Sequence, residues 1–151
     1  MDISVNIIKK NEEETIRKLI KIEKQAFGDA GLDEWGLVPL IRHGKVMALQ
    51  YRDEIVGGAQ FFRDFKNPST VYLVGIAIDK NFRGKGLGTM FLNECLSLMK
   101  SDGIRCVELT VDPANGPAVK VYKEKLGFQT IEERKDEYGE GEDRLVMKRA
   151  L

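Results

Sequence analysis

The sequence predicts a mixed α/β fold in which helices flank a mostly antiparallel sheet, and three observations lead to it. Residues 71–78 form an almost continuous apolar run, which is typical of a central strand covered on both faces. A glycine-rich loop and a helical pattern at 89–100 follow this run. A further strand pattern lies at 107–111. This strand–helix–strand order predicts one right-handed parallel crossover within an otherwise mostly antiparallel sheet.

The first strand is predicted at 3–9, and the first helix at 12–26. Asn11 and Glu14 have the spacing of a capping box, and the acidic first turn suits the helix dipole. The helix prediction depends on side chains that recur at helical spacing. These are Ile16, Leu19, Ile20, Glu23 and Phe27.

A loop is predicted at 28–36, where three glycines occur, and a short second helix follows at 37–42. Residues 46–51 and 55–62 flank a polar turn and are predicted to form a hairpin. Gly75, inside the central strand, indicates a bulge or a close backbone approach. The remaining elements are a helix at 115–126 that ends at Gly127, and two strands at 128–134 and 145–148. The predicted order is therefore β-α-α-β-β-β-α-β-α-β-β.

Length and composition predict an ordinary globular protein with one domain, 1–151. Hydrophobic residues make up 42% and charged residues 32% of the chain. Lysine plus arginine and aspartate plus glutamate both number 24, so the net charge gives no argument for a nucleic acid partner or an anionic membrane. No apolar run approaches the roughly 18 residues of a membrane helix. The start of the chain lacks the pattern of a signal peptide, and a cytoplasmic location is predicted.

No metal site is predicted, because the chain has one histidine and two separated cysteines. Cys95 and Cys106 form no C-x-x-C pair and are expected to be buried thiols. His43 precedes Gly44 and is expected at the surface or at a helix end.

The segment between the central strand and its following helix is predicted to bind a phosphate or pyrophosphate. Gly84, Gly86 and Gly88 remove side chains from three alternate positions, so the backbone can curl and approach a ligand closely. The helix N-terminus offers unpaired N–H groups and the positive end of its dipole. Arg83 and Lys85 add positive charge beside it.

The spacing of this loop separates several kinds of phosphate site. The nucleoside triphosphate loop and the dinucleotide pattern are both absent. The pattern Arg-x-x-Gly-x-Gly, formed by Arg83, Gly86 and Gly88, resembles the coenzyme A pyrophosphate loop of the GNAT superfamily of N-acetyltransferases. The alternative is a tight strand-to-helix turn that binds no ligand.

A second segment, 115–128, also resembles the GNAT family and follows the loop in the same order as in that family. Asparagine, alanine, tyrosine, glycine and phenylalanine stand at the family's spacing. They are Asn115, Ala118, Tyr122, Gly127 and Phe128. The resemblance is strong from residue 71 to residue 128 and depends only on element order outside this range.

The resemblance implies a GNAT-like fold and acetyl coenzyme A (acetyl-CoA) as the cosubstrate. It implies that the pantetheine arm pairs with the backbone of Ile76, Ala77 and Ile78, at a slot where two strands splay apart. An N–H near Ile76 would stabilise the developing oxyanion. The pyrophosphate would lie on the amides of Arg83, Gly84, Lys85, Gly86, Leu87, Gly88 and Thr89.

Two side chains receive roles from the same resemblance. Asn115 would hydrogen-bond the pantetheine, and it can equally be a helix N-cap or serve both purposes. Tyr122, a phenol with an ordinary pKa of about 10, would protonate the departing thiolate. The alternative for Tyr122 is a packing residue whose hydroxyl is hydrogen-bonded within the protein.

The general base is not identified by the sequence. Related enzymes often carry a glutamate where this chain has 70–72, and no carboxylate stands there. Glu108, Asp112 and Tyr138 are the substitutes considered, directly or through a water.

The end of the chain, from Tyr138 onward, resembles that of N-terminal protein acetyltransferases of the ribosomal-protein alanine type. In those enzymes a tyrosine at this place lines the peptide groove, whereas a solvated hairpin is the alternative. Asp112, followed by Pro113, departs from the arginine usual there, so a small amine or polyamine is the competing acceptor. A late acidic cluster either favours a cationic substrate or is a solvated strand edge. It comprises Glu132, Glu133, Asp136, Glu137, Glu140, Glu142 and Asp143.

The sequence thus predicts an acetyl-CoA-dependent N-acetyltransferase acting on a primary amine, either a protein N-terminus or a small amine. A non-catalytic acyl-CoA sensor and a nucleotide-binding module are the alternatives from other classes. Partners are the cosubstrate and the amine, without nucleic acid or membrane, and a homodimer is compatible with the family.

Overall fold

A computed structural model describes residues 2–151 and contains one seven-stranded sheet in the order β1-β2-β3-β4-β5-β7-β6. The strands are β1 (Ile3–Ile7), β2 (Lys45–Tyr51), β3 (Glu54–Arg63), β4 (Thr70–Ile78), β5 (Cys106–Val111), β6 (Gln129–Arg134) and β7 (Arg144–Ala150). The helices are α1 (Glu13–Phe27), α2 (Glu34–His43), α3 (Leu87–Ser101) and α4 (Gly116–Lys120). The predicted element order is confirmed, and β4 with β5 is the parallel pair in a sheet otherwise antiparallel.

Helices α1 and α2 cover one face of the sheet, and α3 packs on the other face. The larger core, beneath α3, contains fully buried Phe61, Phe91 and Phe128. A second core holds α1 and α2 against β2 through Leu19, Leu37 and other apolar side chains. Each such side chain contributes about 1.5–3 kcal/mol on burial, so both faces of the sheet are held firmly.

The predicted capping box at the start of α1 is wrong. The N-cap is Glu12, and no side chain caps the helix there. Instead, Glu12 Oε2 accepts a hydrogen bond of 2.6 Å from the backbone N–H of Lys9. The side chain of Glu12 is longer than that of Asn11 and extends back to Lys9. The residue whose side chain stabilises the helix start is therefore Glu12, one position later than the predicted Asn11.

Helix α2 begins at Glu34, three residues earlier than predicted. Asp33 is its N-cap and accepts a hydrogen bond from the N–H of Gly36 at 3.2 Å. Gly36 and the internal Pro39 have poor helix propensity, which made this segment resemble a loop. The cap and the burial of Leu37 and Ile41 outweigh that propensity.

The parallel contact between β4 and β5 is short. Only Thr70, Val71 and Tyr72 of β4 pair with β5, so the β5-facing edge of β4 from Leu73 to Ile78 has no strand partner within residues 2–151. The β3 register shifts opposite Val74, next to Gly75, which confirms the predicted bulge. The two strands therefore separate at the middle of the sheet.

The predicted continuous helix at 115–126 is wrong in its second half. Regular α-helix ends at Lys120, and a π-helical turn spans Val121–Lys125. Its backbone bond runs five residues, from the N–H of Leu126 to the carbonyl of Val121 at 3.2 Å. Single π turns inside helices often accompany functional sites, and Tyr122 lies in this one.

Candidate active site

The glycine loop leaves β4 and enters α3 through two left-handed residues. Gly84 and Gly86 have φ of 78° and 76°, and a Cβ added at either would meet no heavy atom within 4 Å. Backbone conformation, rather than crowding, is therefore what favours glycine at these two positions. Gly88 differs because it lies inside the helix, where a Cβ would make an ordinary 3.7 Å contact with Ile78.

The N-terminus of α3 has open hydrogen-bond donors. Gly86 is the N-cap residue and provides no side-chain cap. The first intrahelical bond runs from the N–H of Met90 to the carbonyl of Gly86 at 3.2 Å, which leaves the N–H groups of 87–89 without helical partners. Leu87 is buried, whereas Gly88 and Thr89 are half-buried. This arrangement suits an anion.

The two cationic side chains of the loop make different contacts. Arg83 Nε donates to the carbonyl of Ile78 at 2.9 Å, so its guanidinium ties the loop to the end of β4. The Lys85 ammonium lies 5.7 Å from the ring centroid of Phe82. Both residues remain exposed, and their charge is available near the helix N-terminus.

Asp79, at the foot of the loop, is a residue that the sequence analysis missed. It is 2% exposed, accepts a hydrogen bond from the N–H of Asn81 at 2.9 Å, and pairs with Lys18 of α1 at 3.0 Å. Burial raises the pKa of Asp79, but the Asn81 bond and the Lys18 charge outweigh it, and the pKa is lower than usual. No local pattern identifies this contact, because Lys18 is distant in the sequence.

The unpaired edge of β4 contains the three residues predicted to pair with pantetheine. Ala77 is buried, whereas Ile76 and Ile78 are half-buried and pack against the core beneath α3. Their side chains are core residues, and only their backbone faces the gap between β4 and β5.

Asn115 is the N-cap residue of α4, and Tyr122 lies in the π turn that follows it. Asn115 is exposed and its Oδ1 accepts a hydrogen bond from the N–H of Ala118 at 3.3 Å, so the predicted N-cap role is present. Tyr122 packs edge-on against Phe128 with ring centroids 5.8 Å apart. Burial raises the pKa of Tyr122, and no hydrogen bond within residues 2–151 contributes to that shift.

A second tyrosine, Tyr72, lies at the last position of β4 that pairs with β5. Its hydroxyl is 2.8 Å from Thr110 Oγ1, and its ring stacks on Phe62 with a centroid separation of 5.2 Å. Burial raises the pKa of Tyr72 to about 12, the Thr110 bond opposes the shift, and the nearby hydroxyl of Tyr138 adds to it. Tyr72, Thr110 and Tyr138 therefore form a hydroxyl cluster that sequence reasoning missed.

The three candidate bases have different surroundings. Glu108 is opposite Tyr72 in the parallel register and lies between Arg134 and Lys148, at 4.0 and 3.8 Å. Asp112 is exposed, and its Oδ1 accepts a hydrogen bond of 2.9 Å from the N–H of Ala114. Tyr138 is 64% exposed and lies beneath the guanidinium of Arg144. Tyr138 belongs to the hydroxyl cluster and Glu108 lies beside it, whereas Asp112 belongs to a turn.

The late acidic cluster is largely paired with cations of the same hairpin. Arg134 contacts Glu132 at 2.9 Å and Glu137 at 3.1 Å. Lys135 lies within 3.9 Å of Glu133 and Asp143. These contacts favour the alternative of a solvated strand edge over a site for a cationic substrate.

Three minor predictions can be compared with the structure. Cys95 is buried and Cys106 half-buried, and both are free thiols. His43 is exposed at the end of α2, as expected. Among residues 2–151, no helix is long and apolar enough to cross a membrane.

The sequence model described as the Acetyltransferase (GNAT) family matches residues 13–128. An N-alpha-acetyltransferase of Saccharolobus solfataricus is 36% identical over 81 residues, which cover 53% of this chain and 48% of the relative. A mycothiol acetyltransferase of Corynebacterium aurimucosum is 48% identical over 63 residues, or 42% of this chain and 20% of the relative. The matched part thus spans about half or less of the length of these curated relatives.

Solved structures show the same fold along the whole chain. Ard1 from Thermoplasma volcanium superimposes with a TM-score of 0.85 at 19% identity, covering 100% of this chain and 99% of the other. Naa50 from Arabidopsis thaliana, in complex with the bisubstrate analogue CoA-Ac-MVNAL, gives a TM-score of 0.79 at 20% identity and covers 100% of both chains.

Proposed function

The chain belongs to the GNAT acetyltransferase family, and on that premise we propose that it transfers an acetyl group from acetyl-CoA to a primary amine. One observation carries the proposal: the open N-terminus of α3 and the unpaired edge of β4 are joined by the glycine loop. An anion-binding turn beside a free strand edge suits a ligand with a pyrophosphate and an amide-bearing arm.

The residues of this region fit acetyl-CoA. The backbone N–H groups from Arg83 to Thr89, with the charges of Arg83 and Lys85, would hold the pyrophosphate. The backbone of Ile76, Ala77 and Ile78 would pair with the pantetheine arm. The open space around Gly84 and Gly86 supports the fit, because it leaves the backbone there accessible to a ligand.

Acetyl-CoA supplies a thioester-bound acetyl group at the gap between β4 and β5. The N–H of Ile76 would donate to the acetyl carbonyl oxygen as negative charge develops on it. The neutral amine would attack the carbonyl carbon, so that the C–N bond forms and the C–S bond breaks. The proton lost from the nitrogen would pass to one of the candidate bases (Glu108, Asp112 or Tyr138), directly or through a water, and Tyr122 would give its proton to the departing sulfur. Its raised pKa keeps the phenol protonated at neutral pH, which is the state that a general acid needs.

The acceptor is proposed to approach from the face that carries the hydroxyl cluster. A protein N-terminus is favoured by the N-alpha-acetyltransferase relative and by the peptide portion of the analogue bound to Arabidopsis Naa50. A small amine is the second candidate, favoured by the mycothiol acetyltransferase relative and by Asp112. The exposed ring of Tyr138 beside Tyr72 offers an extended surface suited to a peptide.

An acceptor screen tests the proposal through release of free thiol from acetyl-CoA. The probes are a Met-Val-Asn-Ala-Leu peptide with a free N-terminus, the same peptide N-acetylated beforehand, and spermidine. The free peptide or spermidine should release thiol, and the blocked peptide should not. Binding of acetyl-CoA without turnover of any amine would indicate an acyl-CoA sensor, and preferential stabilisation by ATP with magnesium would indicate a nucleotide-binding module.

A further inference from the structure

A buried polar pair connects α1 to β3, next to the central strand β4. Glu23 is 4% exposed and Gln60 is 1% exposed, and Gln60 Nε2 donates to Glu23 Oε1 at 2.8 Å. Neither side chain has a role in the proposed transfer reaction. Burying a carboxylate and an amide costs free energy unless their hydrogen bonds are made, so the pair requires an explanation.

The amide oxygen of Gln60 has no hydrogen-bond partner. Within residues 2–151, Gln60 Oε1 is the buried side-chain nitrogen or oxygen atom that lacks such a partner. The orientation of the amide follows from its neighbour, because an ionised carboxylate accepts hydrogen bonds and cannot donate them. With Nε2 facing Glu23, Oε1 must face the other way, towards β4.

The unpartnered oxygen lies at the position where β4 separates from β5. Gln60 pairs with Gly75 across the β3–β4 register. A Cβ added to Gly75 would lie 3.1 Å from Gln60 Oε1, and no other heavy atom lies within 4 Å of that point. Gly75 is half-buried and directly precedes Ile76. Because Gly75 has no side chain, β4 places no Cβ against this oxygen, which is itself buried from solvent.

Glu23 adds negative charge and also holds the neighbouring loop. Burial raises the pKa of Glu23, against the hydrogen bonds from Leu32 and Gln60, and no cation in the described part of the chain (2–151) contributes. Its Oε2 accepts a bond from the N–H of Leu32 at 3.4 Å, and a Cβ on Gly31 would meet its backbone oxygen at 2.7 Å. Because no cation contributes, the carboxylate of Glu23 is buried without a compensating positive charge from residues 2–151.

We propose that Gln60 Oε1 accepts a hydrogen bond from the nitrogen of the acceptor, and that Glu23 holds the amide in place and attracts the positive charge of a primary ammonium group. The inference rests on the proposed acetyl transfer and specifies how its acceptor is bound. An ammonium group would donate a hydrogen bond to the unpartnered oxygen of Gln60 and would also offset the buried negative charge of Glu23. Both features therefore favour a primary amine as the acceptor.

Two variants test, by different means, whether Gln60 Oε1 binds the acceptor. Gln60→Met keeps a similar length and removes the amide, whereas Gly75→Ala keeps the amide and covers its oxygen. With the free Met-Val-Asn-Ala-Leu peptide and spermidine as probes, each variant should raise the amine KM by about tenfold to hundredfold, the value of a hydrogen bond to a charged group. The dissociation constant of acetyl-CoA, measured by calorimetry, should stay within about twofold of wild type.

Glu23→Gln tests the charge, since it preserves an acceptor for Gln60 Nε2. Its kcat/KM should fall with the primary amines but not with hydroxylamine, a nucleophile that is neutral at pH 7. A general loss of structure would lower both rates together. The inference is wrong if Gln60→Met and Gly75→Ala leave the amine KM unchanged, or if they weaken acetyl-CoA binding equally. A wild-type protein that acetylates no primary amine would overturn the proposed function itself, and this inference with it.

Discussion

The two sides of the gap between β4 and β5 are built in different ways. The side proposed to bind the cofactor is local: the edge of β4, the glycine loop and the start of α3 are consecutive in the sequence, from Ile76 to Thr89. The side proposed to bind the acceptor brings together β3, β4, β5, α1 and the hairpin before β7, through residues such as Gln60, Tyr72 and Thr110. A local site can be recognised by spacing, whereas a site assembled from five elements has no spacing to recognise.

The largest effect is expected at the local side, from Gly86→Glu. The new side chain would need φ near 76° and would bring a negative charge to the N-terminus of α3, so acetyl-CoA binding should be lost in calorimetry. Gly103→Glu is the matched control, because Gly103 has φ of 84° and equally open surroundings at the other end of α3. It should bear the same backbone strain, about 1–2 kcal/mol, and still bind acetyl-CoA. If Gly86→Glu still binds acetyl-CoA, the loop does not bind the pyrophosphate.

Tyr122→Phe comes next, because Tyr122 is proposed to protonate the sulfur that departs from the thioester. Removing a general acid should lower kcat by about 10²- to 10⁴-fold and leave acetyl-CoA affinity unchanged. Tyr51→Phe, which alters a tyrosine packed on Phe82, is the control and should keep full activity. Equal rates for wild type and Tyr122→Phe would assign Tyr122 to packing against Phe128.

Asp79→Asn tests whether the glycine loop depends on a contact from outside its own segment, because Asp79 pairs with Lys18 of α1. Loss of a charged acceptor for the N–H of Asn81 should lower the free energy of unfolding by about 2 kcal/mol at pH 7. Lys18 is 27% exposed, so solvent screening makes the ion pair the smaller part of this loss.

The pH dependence gives the check for Asp79. Because its folded-state pKa lies below the ordinary carboxyl value, its stabilisation is present above that value and is lost as the pH falls below it. Urea unfolding of wild type and Asp79→Asn should therefore converge in acid. A stability difference that is independent of pH would assign the loss to packing.

The smallest effect is expected from Tyr72→Phe on the acceptor side. Loss of its bond to Thr110 should cost about 1 kcal/mol at pH 8, measured by urea unfolding. A folded-state pKa of about 12 means that Tyr72 favours folding below pH 10, and that this contribution disappears as the pH rises towards 12. The variant should accordingly lose less stability than wild type over that interval. A steeper loss in the variant would contradict the raised pKa.

The fold was predictable because each strand and helix leaves a periodic pattern in consecutive residues. The order of eleven elements and the one parallel pair follow from such patterns, and the glycine inside the central strand indicated the bulge beside Gly75. Errors arose where a few local interactions outweigh propensity. The side chain of Glu12 bonds back to Lys9 instead of a cap forming at Asn11, Asp33 starts α2 early, and the helix after Asn115 widens into a π turn at Val121.

By itself, the sequence determined the glycine loop and its likeness to a coenzyme A site, because backbone freedom at Gly84 and Gly86 is a property of those residues. Only the tertiary structure decided that Asp79 meets Lys18, that Tyr72 meets Thr110, and that a single oxygen of Gln60 faces Gly75. These contacts join residues 15 to 61 positions apart in the printed sequence. These contacts depend on strand register, on the separation of β4 from β5 and on burial. Each of these features arises from several segments packing together, so no single segment of the sequence contains it.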